Sequence, residues 1–181
     1  MEHCAKLIRA QEEAGLDILE LGIPFSDPAA DGPVIQDASY RSILKGTNLR
    51  KCFELVDGVR KDGCELPIVF MMYYNTVLHY GLEAFAEKLR RGWRRRTDHS
   101  GSSAGRAATV KRMHWQKQNA TILIQLVAPV SDKRIPEILK DARGFVYCVS
   151  SMGVTGQGAN FHKEVISYLK SVKTSRHRFQ S

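Results

Sequence analysis

The sequence lacks long apolar runs, paired cysteines and histidines at metal-ligand spacing. No apolar run is close to the length of about 20 residues that a membrane-spanning helix needs. No signal-peptide pattern follows Met1. The four cysteines are scattered and form no CxxC pair, which is typical of reduced thiols rather than a disulfide framework or a metal site. We therefore predict a cytoplasmic protein without a membrane association and without a metal.

Most of the chain lacks an excess of charge of one sign, although the formal net charge is +8. The basic segment, residues 90–120, holds nine of the 27 Lys and Arg residues and one of the 19 acidic residues. The remaining residues carry 18 charges of each sign. A basic chain often binds nucleic acid, but here the basicity belongs to one segment, and we predict no nucleic-acid partner.

Apolar strands and amphipathic helices alternate through the N-terminal half. The sequence predicts a helix that ends at Gly15, a strand over 16–24, a helix over 34–46, a helix over 49–63 that Asn48 caps, and a strand over 66–75. A further helix begins after that strand.

The same order resumes after the basic segment. It predicts a strand over 121–129, a helix over 132–142 that Ser131 caps, a strand over 144–150 and a helix over 161–173. The unusual loops, rich in Pro and Asp or in Gly, all follow strands, as in a (β/α) barrel. We predict the α/β class and a (β/α) barrel, with residues 1–181 as one domain. A doubly wound open sheet is the alternative, but no GxGxxG or P-loop supports it.

Four stretches resemble successive motifs of the tryptophan synthase α subunit family. They are LELGIPFSDPAADGPVIQDASYRSILKG, MMYYNTVLHYGLEAF, LIQLVAPVSDKRI and GFVYCVSSMGVTG. The resemblance covers residues 1 to about 90 and about 121 to 172, and it implies a partial (β/α)8 TIM barrel, without its first strand and its C-terminal strands. The family cleaves indole-3-glycerol phosphate to indole and glyceraldehyde 3-phosphate, and passes indole to a β subunit that carries pyridoxal phosphate.

The resemblance assigns two catalytic carboxylates. Glu20 matches the family's acid/base glutamate, and Asp31 matches the aspartate that stabilises positive charge on the indole ring through its N–H. A carboxyl in an apolar pocket has a raised pKa and exchanges protons near neutral pH, while an ionised carboxylate stabilises a cation. Without the motif, Glu20 would be read as a solvated strand residue and Asp31 as a turn former.

The resemblance also implies binding residues. It assigns the substrate site to Phe70, Met71, Tyr73, Tyr147, Thr155 and Gly156. Thr155 belongs to a loop that closes over substrate and contacts Asp31 in the family. Asp27 and Pro28 lie in the loop that matches the family's contact with the β subunit. No cofactor is expected in this chain, because pyridoxal phosphate belongs to the partner.

The basic segment departs from the family, which has a strand and an acidic loop there. One interpretation is an arm for RNA or membranes, in which Trp93 and Trp115 stack among arginines. The other is a shifted reading frame over about 91–120. Codons chosen for RGWRRRTDHSGSSAGR, read one base later, spell EAGVDGLIIPDLPLE, a strand and loop of the family's type. We favour the frameshift, with a base lost near Arg91 and the frame restored near Thr121.

A broken fourth strand has a functional consequence. An arginine-rich segment without strand periodicity cannot bury against a sheet. We therefore expect this chain to be inactive or barely active. The alternative function is a non-catalytic remnant that only binds the β subunit.

Sequencing the gene with flanking DNA on both sides tests the frameshift. We expect the codons of residues 91–106, read one base later, to encode EAGVDGLIIPDLPLE or a close variant, because the protein fixes most first and second bases. Genomic DNA that lacks this alternative frame would contradict the hypothesis.

Overall fold

The structure, a computed structural model, describes residues 1–92, 102–103, 122–128, 134–140, 142–149 and 163–177. In these ranges the strands are β1 (Leu19–Gly22), β2 (Ile68–Met71), β3 (Ser102–Ser103), β4 (Gln125–Val127) and β5 (Val146–Cys148). The helices are α1 (Glu2–Glu13), α2 (Pro33–Leu44), α3 (Leu49–Lys61), α4 (Tyr74–Tyr80), α5 (Leu82–Gly92), α6 (Ile135–Leu139) and α7 (Lys163–His177). Apart from β3 and the start of the segment, the predicted frameshift region lies outside the described residues, as does the predicted cap Ser131.

The helix ends follow the local signals in the sequence. Gly15 adopts a φ of 85°, which favours glycine, and ends the α1 region as predicted. Asn48 accepts a hydrogen bond from the backbone N–H of Lys51 at 3.1 Å, which confirms its predicted cap of α3. Pro33 occupies the first turn of α2, where a missing N–H costs nothing.

The strand predicted over 66–75 is shorter in the structure. It ends at Met71, and a seven-residue helix that the sequence did not predict, α4, begins at Tyr74. Gly81 closes this helix with a φ of 92° and donates its N–H to the Val77 carbonyl at 3.0 Å. Tyr and Val favour strands, so local propensity concealed the helix.

All described strand pairs are parallel, as the α/β class requires. β1 pairs with β2 in a register that places Glu20 opposite Val69, and β2 pairs with β3. The Ile23 N–H continues the β1–β2 contact by donating to the Met71 carbonyl at 2.9 Å. β4 and β5 form a separate two-stranded sheet among the described residues.

Two apolar clusters lie between strands and helices. The larger one joins β1 and β2 to α1, α3 and α5, and Phe53 is at its centre. The centroid of the Phe53 ring lies 5.5 Å from that of Phe70 and 5.6 Å from that of Phe85. All three side chains are almost fully buried. The smaller cluster holds Val127, Ile135, Leu139, Tyr168 and Val172. The clusters cover the helix-facing side of the strands, so the opposite side of the strands is available for a functional site.

Glu12 ties the end of α1 to the chain that enters β2. Its carboxylate accepts the backbone N–H groups of Glu65 at 2.6 Å and Leu66 at 3.0 Å. Burial acts to raise its pKa, but these hydrogen bonds and the charge of Arg9 outweigh burial and hold the pKa of Glu12 below its ordinary value. This contact helps to hold α1 at the end of the sheet opposite to the βα loops.

Two expectations concern the whole chain. The four cysteines are free thiols, as predicted. Among the described residues, no helix combines the length and the apolar character that crossing a membrane requires. The assignment of residues 1–181 to a single domain stays a prediction.

Candidate active site

Glu20 lies in β1, two residues before the end of the strand. Its register partner is Val69, and Gly22 is opposite Met71, so these four residues share one face of the sheet. Leu19, Ile68 and Phe70 point the other way, into the larger apolar cluster. Glu20 therefore projects from the face that the core does not use. This arrangement answers how a carboxylate fits into an apolar strand.

The environment of Glu20 only partly matches the expected apolar pocket. The side chain is exposed by surface area. Partial desolvation nevertheless raises the pKa of Glu20 above its ordinary value. The direction of this shift is the one that a group exchanging protons near neutral pH needs.

Tyr147 lies in β5, on the second sheet, and is half-buried. Burial raises the pKa of Tyr147, and the charge of Glu20 raises it further. Such an electrostatic effect requires the two groups to be near each other. The structure thus brings Tyr147 of one sheet and Glu20 of the other to a common region.

Met71 and Phe70 occupy opposite faces of β2. Met71 shares the Glu20 face and is half-buried. Phe70 is 1% exposed and packs against Phe53 in the helix-side cluster. The structure therefore does not place the Phe70 ring at the site, because the two-residue period of the strand turns it toward the helices.

Asp31 and Tyr73 meet above the ends of β1 and β2. The Tyr73 hydroxyl donates to Asp31 Oδ2 at 2.9 Å and accepts the Ala30 N–H at 3.0 Å. Burial raises the pKa of Tyr73, and the Asp31 charge adds to this effect. Asp31 also accepts a hydrogen bond at its backbone carbonyl from the Gln36 side chain at 2.7 Å.

The loop that carries Asp31 contains the two residues assigned to the partner contact. Asp27 is exposed and accepts a hydrogen bond from the Ser26 hydroxyl at 2.5 Å, and Pro28 is half-buried. Thr155 and Gly156 lie outside the described residues.

Sequence reasoning missed the role of Phe25. Its ring stacks on Tyr73 with centroids 4.7 Å apart and an interplanar angle of 21°. The available signal was an aromatic residue at the start of a Pro-rich loop that follows a strand.

The geometry combines two carboxylates with different surroundings at one edge of the sheet. Burial raises the pKa of Glu20. Asp31 is held by a hydroxyl. Such a pair suits a reaction in which one carboxyl moves protons and the other faces a developing cation.

The raised pKa of Glu20 predicts how stability depends on pH. Because the folded chain binds this proton more readily than the unfolded chain, the folding contribution of Glu20 is favourable at low pH and is lost as the pH rises through the folded pKa. We expect Glu20→Gln to increase the free energy of unfolding relative to the original chain more at pH 8 than at pH 4. Urea unfolding at both values measures it.

Glu54→Gln, at an exposed position of α3, is the matched control for this experiment. We expect no comparable gain from it at pH 8. A Glu20→Gln effect that is the same at both pH values would contradict the desolvation of Glu20.

Comparison with known sequences gives the family. The profile of the family described as "Tryptophan synthase alpha chain" matches residues 1–96 and 103–178. The tryptophan synthase alpha chain of Lachnospira eligens is 51% identical over 168 residues, which cover 93% of this chain and 64% of that protein. That of Alkaliphilus metalliredigens is 41% identical over 177 residues, or 96% of this chain and 64% of that protein. The chain thus spans less than two thirds of the length of these curated relatives.

Solved structures agree in fold. A chain from the tryptophan synthase α2β2 complex of Pyrococcus furiosus superposes with a TM-score of 0.81 at 29% identity, covering 96% of this chain and 68% of that chain. A chain of Mycobacterium tuberculosis tryptophan synthase gives a TM-score of 0.77 at 31% identity, covering 93% and 64%. These matches confirm the predicted fold class, a partial (β/α)8 barrel. The chain belongs to the tryptophan synthase alpha chain family.

Proposed function

We propose that this chain carries the site of a carbon–carbon lyase that cleaves indole-3-glycerol phosphate to indole and glyceraldehyde 3-phosphate. The observation that carries the proposal is the placement of Glu20 and of the Asp31–Tyr73 pair at the carboxyl edge of the paired strands β1 and β2. In barrel enzymes this edge holds the reacting groups. The family membership supplies the substrate class.

The reaction needs two proton movements and one stabilised cation. Glu20 is proposed to deliver a proton to C3 of the indole ring and to remove the proton of the glycerol hydroxyl next to the scissile bond. The bonding electrons return to the ring as the bond breaks, which releases indole and the aldehyde. Asp31 is proposed to accept a hydrogen bond from the indole N–H. It would thereby stabilise the positive charge that the ring carries after C3 is protonated and before the bond breaks.

The remaining site residues take binding roles. Met71 shares the Glu20 face, and Tyr147 is near Glu20, so both are proposed to line the indole end of the site. Thr155 and Gly156 are proposed for loop closure and for the phosphate end, on the family resemblance alone. Phe70 is left out of this set because its ring lies in the core.

In the proposed reaction, carboxylates transfer the protons and stabilise the cation. We therefore propose that the chain needs no cofactor of its own. The proposed partner is the tryptophan synthase β subunit, with its pyridoxal phosphate. Asp27 is exposed on the Asp31 loop and Pro28 is half-buried beside it, where they are available for such a contact. The cytoplasmic location stays a prediction.

The activity of this chain alone is proposed to be very low. The described strands form two separate sheets, whereas a barrel needs one closed sheet. This observation on the described residues supports the proposal that the substrate is held less completely than in a whole barrel.

Indole release from indole-3-glycerol phosphate tests the proposed site. We expect the purified chain to release indole at close to the uncatalysed rate, and any release above it to disappear in Glu20→Gln and to persist in Glu54→Gln. A tagged β subunit in the same preparation reports partner binding by co-purification, which we expect Asp27→Ala to weaken.

The possible outcomes separate the claims. Release above background that survives Glu20→Gln would contradict the role of Glu20. Fast release that this substitution abolishes would contradict the expectation of low activity and confirm the site. Co-purification without any release would favour the remnant that only binds the β subunit.

A further inference from the structure

We infer that Tyr73 is a positioning residue, which fixes the direction of the Asp31 carboxylate and so sets the preference of the site for a ligand with an indole N–H. This inference rests on the proposed function. It assigns to Tyr73 a task beyond lining the pocket, because its hydroxyl contacts the proposed catalytic group rather than the ligand.

The Tyr73 hydroxyl uses both of its hydrogen-bonding capacities on the Asp31 loop. It donates to Asp31 Oδ2 at 2.9 Å and accepts the Ala30 N–H at 3.0 Å. Two bonds from one atom to adjacent residues fix both the main chain and the carboxylate. A single contact would leave the loop able to pivot about it.

The ring of Tyr73 is also held in place, by a stacking contact. Phe25 stacks on it at 4.7 Å, and Tyr73 itself stands between the end of β2 and the start of α4. Phe25 follows β1, while Tyr73 follows β2. The stacked pair therefore joins the loops of two paired strands, and the Asp31 loop is tied to the sheet through it.

The carboxylate depends on Tyr73 in particular. Gln36 holds the Asp31 backbone carbonyl at 2.7 Å, and this bond does not orient the side chain. Among the described residues, Tyr73 is the side chain bonded to the carboxylate. A carboxylate held on one oxygen presents its other lone pairs in a defined direction, where an N–H donor is recognised.

Indole and 1-methylindole test this inference, because methylation removes the N–H and keeps the ring. These probes occupy the indole end of the site, which consists of described residues. We expect the original chain to bind indole at least about tenfold more tightly than 1-methylindole, as for a hydrogen bond to a charged acceptor. Tyr73→Phe should reduce this ratio to about twofold or less and leave the 1-methylindole affinity unchanged. Calorimetry or fluorescence titration gives both affinities.

Two further variants serve as controls for this experiment. Asp31→Ala should abolish the preference, which sets the lower limit. Tyr74→Phe makes the same chemical change at the next residue, whose ring packs on the larger core cluster, and should retain the preference. Tyr73→Phe keeps the ring that stacks on Phe25, so the fold is expected to persist, and the unchanged affinity for 1-methylindole verifies this.

The outcomes separate the inference from the proposed function. A preference for indole that survives in Tyr73→Phe overturns the positioning role and leaves the role of Asp31 intact. An original chain that does not prefer indole overturns the proposed function and the inference with it. Hydrogen exchange of the Ala30 amide provides a ligand-independent check. It should accelerate at least about tenfold in Tyr73→Phe, and an unchanged rate would count against the inference.

Discussion

The parallel pairing of β1 with β2 is the constraint on which the rest of the structure depends. Its register puts Glu20 opposite Val69 and sends Leu19, Ile68 and Phe70 to the other face. A slip of one residue would bury the carboxylate among aromatic rings and expose the core. The register is therefore fixed by the apolar cluster, and the position of Glu20 follows from it.

The same pairing organises the second carboxylate. Because the two strands end at one edge, the loops that follow them meet, and Phe25 of one stacks on Tyr73 of the other. Tyr73 then holds Asp31. The proposed site thus consists of one carboxyl placed by a strand and partly desolvated, and one placed by a loop and hydrogen-bonded. Different surroundings give chemically similar groups different tasks.

Features that depend on neighbouring residues could be predicted from the sequence, whereas features that depend on contacts between distant residues could not. Caps and turn glycines act within a few residues, so the turn at Gly15 that follows α1 and the cap at Asn48 were predictable. The site motif was predictable only through resemblance, since Glu20 alone is an ordinary strand residue. The side on which Phe70 packs, and the bond between Tyr73 and Asp31 across 42 residues, depend on register and loop geometry, which periodicity does not encode.

The meeting of the two loops is the claim that supports both the proposed site and the proposed role of Asp31, and nuclear Overhauser effects in solution measure it most directly. The structure predicts cross-peaks between the ring protons of Phe25 and Tyr73, and between the Tyr73 ring and the Ala30 amide. Both sets should be present without any ligand. Their absence in a folded chain, which retains contacts between the Phe53 and Phe70 rings, would contradict the account.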